Sequence, residues 1–155
     1  MITKLKKDYP KYKFAVGKDF IWSPNKETIY YDPERISRED GQWSLLHELG
    51  HAILGHKDYV HDIDLLQMEL EAWEKAKELT VGYSKPKVKQ DYIESCLDSY
   101  RDWLKKRSTC PECSYVNFQS DHSTYTCFNC SCIWKVPVSQ ICKIRRRKQT
   151  GVVNK

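Results

Sequence analysis

The chain has 155 residues, which suits one ordinary domain or a compact domain with a small appendage. Its 40% hydrophobic content allows a modest core, and no stretch approaches the about 18 consecutive apolar residues of a membrane span. Charge is divided unevenly within the formal net +5: residues 1–80 balance at −3 and residues 81–155 at +8, which predicts two parts with different partners.

The N-terminal run Met1–Lys7 is basic but leads into Asp8-Tyr9-Pro10 and not into an apolar segment, so no secretory leader is expected. All seven cysteines lie beyond residue 95, an odd number that includes two C-x-x-C pairs. In a leaderless chain that usage reads as metal binding under reducing conditions, and the expected compartment is the cytoplasm. Strand-like runs follow at Lys13–Val16 and Phe20–Trp22, then a turn at Ser23–Lys26. The β-branched and aromatic run Thr28-Ile29-Tyr30-Tyr31 ends at Asp32-Pro33. A hairpin of Phe20–Trp22 with Thr28–Tyr31 is predicted.

A first long helix is expected from near Ser37, where an acidic residue three positions on makes a loose capping box. Trp43, Leu46, Leu49 or Gly50, Ile53 and Leu54 form its apolar stripe, and Gly55 supplies the stop. This helix carries His47-Glu48-Leu49-Gly50-His51, an H-E-x-x-H run. Positions i and i+4 lie one above the other on a helix, so His47 and His51 can present two imidazole nitrogens to one Zn²⁺. Glu48, one residue round, is placed to act as general base on a water activated by the metal. His56 falls five residues after His51, where a continued helix would turn it away from His51; it is read as a cap that favours the helix dipole.

A second helix is predicted over Asp62–Leu79, with Leu65, Leu66, Ala72, Trp73, Ala76 and Leu79 spaced by three or four. Glu69 falls on that apolar stripe, where a carboxylate is costly to bury unless it is paired or bound to a metal. Glu71 lies on a more polar face. Tyr83–Lys89 reads as a linker. Ile93, Cys96, Leu97, Tyr100, Trp103 and Leu104 then outline a third amphipathic helix near residues 90–106 that ends in Lys105-Lys106-Arg107, with Cys96 as a buried small hydrophobe.

Cys110-Pro-Glu-Cys113 and Cys127-Phe-Asn-Cys130 are separated by thirteen residues, with strands expected at Ser114–Phe118, Thr124–Thr126 and Ile133–Val136. Two such knuckles predict a zinc ribbon, four thiolates closing a tetrahedron and the metal supplying folding energy that so short a segment cannot find in a core. Cys132 is a substitute ligand by position, Cys142 has no evident partner, and His122 reads as a surface loop residue. Arg145, Arg146, Arg147 and Lys148 form a basic tail that, with Lys105–Arg107, could meet phosphate.

The segment His47–His56, followed by Glu69-Leu70-Glu71-Ala72-Trp73-Glu74-Lys75-Ala76, resembles the ImmA/IrrE family of small zincin metallopeptidases. That family shows H-E-x-G-H-x-x-L and then a helix of form E-x-E-A-x-x-x-A. The resemblance spans roughly residues 12–80. It implies zinc held by His47, His51 and Glu69, with Glu48 as base; Glu71 stays open as the second choice for the third ligand and His61 as a weaker one. The family's usual residues after the second motif are absent here, where Trp73, Lys75-Ala76 and Leu79-Thr80-Val81 stand, and the family usually lacks a ribbon. A zincin followed by a ribbon is also similar to SprT-like proteases, which act on DNA-bound proteins. The resemblance further implies that Thr28, Ile29, Tyr30 and Tyr31 bind an extended substrate by strand addition.

The expected architecture is α+β: a minimal zincin over residues 1–107, a zinc ribbon over 108–140 and a basic tail over 141–155. The expected activity is that of a zinc metalloendopeptidase with one catalytic and one structural zinc, cleaving a cytoplasmic protein such as a DNA-bound regulator. The alternative is a catalytically silent zincin-fold adaptor that binds DNA or protein through its ribbon.

Overall fold

A computed structural model describes residues 1–137 and the pair Arg147–Lys148. The fold is α+β. In chain order it contains α1 (Ile2–Asp8), β1 (Lys13–Val16), β2 (Ile21–Ser23), β3 (Thr28–Tyr31), α2 (Glu39–Leu54), α3 (Asp62–Gly82), α4 (Gln90–Ser108), β4 (Gln119–Asp121), β5 (Thr124–Thr126), β6 (Ile133–Lys135) and β7 (Arg147–Lys148). Among the described residues no helix is long and apolar enough to cross a membrane. The chain divides into two compact units, Met1–Asp58 with Gln67–Glu94, and Tyr59–Leu66 with Ser95–Lys155. The expected boundary at residue 107 falls inside the second of these stretches.

In the first unit a three-stranded sheet has the order β1-β3-β2. β2 and β3 form the expected antiparallel hairpin, with Trp22 opposite Ile29, while β1 pairs parallel with β3 from Lys13↔Thr28 to Val16↔Tyr31. β3 is therefore central, and its main-chain groups are engaged on both sides. Strand addition at Thr28–Tyr31 is thereby corrected: the open edges of this sheet belong to β1 and β2. Helix α1 has no counterpart in the sequence pattern, since with Leu5 as its one buried residue it shows too little periodicity to read.

Helix α2 starts at Glu39, two residues after Ser37. Ser37 sits in a 3-10 turn and its hydroxyl donates to the Glu34 carbonyl, so the capping box does not form and Arg38 takes the N-cap position without a side-chain cap. Gly41 is what lets the first turn form here, because a Cβ would stand 2.0 Å from the Arg35 carbonyl oxygen. The helix is buried over a wide arc that includes Trp43, Leu45, Leu46, Leu49 and Ala52, whereas Leu54, placed on the stripe by pattern, is 40% exposed. It stops where expected: Gly55 adopts φ +72 and closes the end with its N–H on the Ala52 carbonyl.

Helix α3 buries Leu65, Glu69, Ala72, Trp73, Ala76 and Leu79 on one stripe, as the spacing predicts, and extends to Gly82. Small residues bring α2 and α3 close together: a Cβ on Gly50 would lie 2.7 Å from the Ala72 carbonyl oxygen. The third predicted helix is α4, on which Ile93 and Leu97 are buried and Cys96 is only half-buried.

The second unit holds a sheet of order β4-β5-β6-β7, antiparallel throughout. Ser114–Phe118 does not form the expected strand. Val116 makes a single bridge to Thr109, and pairing begins at Gln119. The small core is Cys110, Tyr125, Cys127, Trp134 and Val136, with the Tyr125 and Trp134 rings stacked at 5.3 Å. Beside it lies a buried ion pair that the pattern conceals. Arg107 donates to both Asp62 oxygens at 2.6 and 3.0 Å, and the Tyr125 hydroxyl donates to Asp62 Oδ2 at 2.5 Å. At 1% exposure Arg107 is not available to a phosphate. Cys142, Arg145 and Arg146 lie outside the described residues, and the backbone of Arg147–Lys148 pairs with β6.

Candidate metal centre

Helical spacing places His47 and His51 on one face of α2, and the close approach at Gly50 and Ala72 sets Glu69 of α3 against them. His47 Nε2 lies 3.0 Å from His51 Nε2 and 3.0 Å from Glu69 Oε2, and His51 Nε2 is 3.5 Å from Glu69 Oε1. All three residues are buried, at 6%, 8% and 6% exposure. Donors bound tetrahedrally at about 2.0–2.1 Å stand about 3.3 Å apart, so these spacings suit a small divalent cation. Two imidazole nitrogens facing each other at 3.0 Å with a carboxylate beside them need a proton or a metal ion between them. Glu69, and not Glu71, completes this group. His61 belongs to the second unit, where its Nδ1 is 3.6 Å from Asp64.

The electrostatics agree with a shared cation site. Burial alone would push the Glu69 carboxyl up, but the neighbouring His47 and His51 rings pull it down to about 2, so it is ionised at neutral pH. Burial is the main cause that holds His47 below 6.5, keeping the ring neutral and able to ligate. The His47 ring stacks on Trp73 at 4.1 Å, and its Nδ1 is buried without a hydrogen-bond partner among the described residues. Tyr92 packs edge-on against Trp73 and its hydroxyl is 3.0 Å from Ser44 Oγ, which steadies the wall behind His47.

Glu48 is half-buried, and its Oε2 accepts the backbone N–H of Trp22 at 2.6 Å. Burial raises its carboxyl to about 7, against the downward pull of His51 and of the Trp22 amide. A carboxylate poised there can take and return a proton at neutral pH. The same contact identifies β2, whose amide reaches Glu48, as the strand at the site. Trp22 is further fixed by its indole N–H on the His56 carbonyl at 3.0 Å and by Tyr12, edge-on at 5.4 Å.

His56 does not point away from His51. The left-handed turn at Gly55 ends the helix and folds the chain back, so that His56 Nδ1 lies 2.9 Å from His51 Nδ1. His56 Nε2 is in turn 3.2 Å from Glu71 Oε2. Spacing on a continued helix could not reveal this, because the decisive residue is the one that breaks the helix.

A second group lies in the ribbon segment. Cys110 Sγ is 3.6 Å from Cys130 Sγ and Cys113 Sγ is 3.4 Å from Cys127 Sγ, close to the about 3.8 Å expected of thiolates arranged tetrahedrally at about 2.3 Å from a metal. The two knuckles repeat one turn. Ser114 and Ser131 both have positive φ, and their N–H groups donate to the Cys110 and Cys127 carbonyls. The Cys110 and Cys127 N–H groups then donate to the carbonyls of Tyr115 and Cys132. Cys132 thus corresponds to Tyr115, holding the turn through its carbonyl, and does not belong to the four-sulfur group. A hydrogen bond from the Asn129 side chain is the first cause that lowers Cys113 to about 6. His122 is exposed in the turn between β4 and β5. No protein-family profile, curated protein or solved structure matches the chain.

Proposed function

We propose that the chain is a zinc metalloendopeptidase of ImmA/IrrE-like, minimal-zincin type, acting on a cytoplasmic protein and carrying a structural zinc in its ribbon. The observation that carries this reading is the convergence of His47 Nε2, His51 Nε2 and the Glu69 carboxylate beside a carboxylate, Glu48, that binds no ligand of the group and is anchored by an amide. Two nitrogens and one oxygen form a three-ligand set with an open position, the donor set of a catalytic zinc, while four thiolates form a closed structural one.

Zinc, when bound, supplies Lewis acidity to water and to a peptide carbonyl. Glu48 takes the proton from the attacking water and returns it to the departing amine. Its Oε2 is held by the Trp22 amide, which leaves Oε1 to accept. Trp73 keeps the His47 ring in plane from behind. An extended substrate pairs with the outer edge of β2, since β3 has no open edge.

The test compares wild type with Glu48→Gln for metal content and for cleavage of peptide and repressor substrates. Both should hold two zinc ions, one per ligand group, and the variant should lose roughly 10²–10⁴-fold in rate. A fully loaded wild type that cleaves none of them favours the second reading, an adaptor that binds DNA or protein through the ribbon. One observation favours that role: Phe118 and Phe128 are 83% and 80% exposed on the second unit, with Tyr115 and Val116 at 62% each. A salt titration of DNA binding separates the two partners, because phosphate contacts weaken steeply with salt and apolar protein contacts do not.

A further inference from the structure

The chain His51–His56–Glu71 stands behind the candidate metal centre, and none of the steps above uses it. Its protons can run in only one direction. An ionised Glu71 has no proton to give, so at 3.2 Å from His56 Nε2 it accepts that nitrogen's N–H. A neutral imidazole carries one N–H, which leaves His56 Nδ1 bare. His51 Nδ1, 2.9 Å away, is then the donor. A neutral His51 protonated on Nδ1 bares Nε2, the nitrogen that faces His47 and Glu69.

We propose that His56, oriented by Glu71, is a positioning residue that locks His51 in the Nδ1–H tautomer and so directs its Nε2 lone pair to the metal. This inference rests on the metal-centre reading and deepens it. A helix cap would need only the His56 backbone N–H, which does donate to the His51 carbonyl at 3.0 Å. Here the carbonyl of His56 is also held, by the Trp22 indole, and both of its ring nitrogens are engaged, with the side chain only 10% exposed. Glu71 is itself steadied by the Gln67 amide, which donates to its Oε1 at 2.7 Å. Ligating histidines commonly give their second N–H to such an outer partner, which fixes the ring and raises its basicity. His47 has none among the described residues, so the two histidine ligands are held by different means: His47 by stacking on Trp73, His51 by the relay.

The experiment loads the full chain with Co²⁺ and measures, by chelator competition, the affinity of the site without thiolates in wild type, His56→Phe, His56→Gln and Glu71→Ala. The helical circular-dichroism signal serves as the folding reference, and the cysteine-bound cobalt of the same molecule, recognised by its thiolate charge-transfer band, as the control for metal loading. His56→Phe should weaken the nitrogen–oxygen site roughly 10–100-fold and alter its d–d spectrum, with the ribbon unchanged. His56→Gln, which restores an acceptor, should recover part of the loss. Glu71→Ala, at an exposed helical position that tolerates alanine, should show a smaller loss in the same direction. Wild-type affinity and spectrum in both His56→Phe and Glu71→Ala overturn the relay alone. A wild type that binds no cobalt outside the ribbon overturns the metal centre and the relay together.

Discussion

Replacing Gly50 by alanine tests the packing that assembles the candidate metal centre. The new Cβ would stand 2.7 Å from the Ala72 carbonyl oxygen and 3.3 Å from Ala72 Cα. A carbon–oxygen contact of this kind is comfortable at about 3.3 Å or more, so α3 must retreat by about 0.6 Å near residue 72. Such overpacking costs about 1–3 kcal/mol, against about 1 kcal/mol regained by removing a glycine from a helix interior. The net loss of stability should therefore be modest, about 0–2 kcal/mol. The loss of metal binding should be disproportionate, because Glu69 lies one turn before Ala72 and ligand distances tolerate only about 0.2 Å. Denaturant unfolding of the metal-free protein gives the first quantity, and chelator competition at the nitrogen–oxygen site gives the second. Cysteine-bound metal, distant in sequence from the change, should be unaffected. Wild-type affinity in a normally folded Gly50→Ala protein would refute the idea that this close approach places Glu69.

Three other outcomes follow from the same structure. In the metal-free protein Glu69 is held at about 2 against an ordinary 4.5, so its ionised form stabilises the fold fully above pH 4.5, and that contribution is lost as pH falls toward 2. The difference amounts to about 3 kcal/mol, at roughly 1.4 kcal/mol per pH unit; acid titration of stability should be flatter by that amount in Glu69→Gln, and parallel curves would count against it. Asp62→Ala leaves the Arg107 guanidinium buried without its carboxylate and should cost about 3–5 kcal/mol by denaturant unfolding, where a loss below about 1 kcal/mol would show that the pair is dispensable. Strong chelation should make Cys110 and Cys127, each 1% exposed, reactive to alkylation while the first unit keeps its helical signal; unreactive thiols after metal removal would mean that the ribbon folds without a metal.

Much of the candidate site was legible because it rests on short-range periodicity. The four-residue interval between His47 and His51, the stop at Gly55 and the three-and-four spacing that carries Glu69 onto a buried stripe are properties of one helix at a time. The knuckles are similarly local, since each C-x-x-C closes one tight turn. Boundaries were less legible: Ser37 looks like a cap, yet the chain makes a 3-10 turn before α2 begins. The parallel pairing of β1 with β3 joins residues about fifteen apart with a strand between them, and no local signal marks it.

What the sequence alone determined, then, is the set of chemical groups and the helices that carry them: two imidazoles and a carboxylate on α2, a buried glutamate on α3, four thiols in paired turns. Tertiary structure decided which groups meet. Gly50 and Ala72 admit the approach of two helices, β3 is closed by its neighbours so that β2 faces Glu48, and Asp62 finds Arg107 across 45 residues. His56 turns back onto His51 because one glycine takes a left-handed conformation. Periodicity describes a helix only while it continues, and each of these contacts forms where a helix ends, a strand is flanked, or two segments distant in sequence touch.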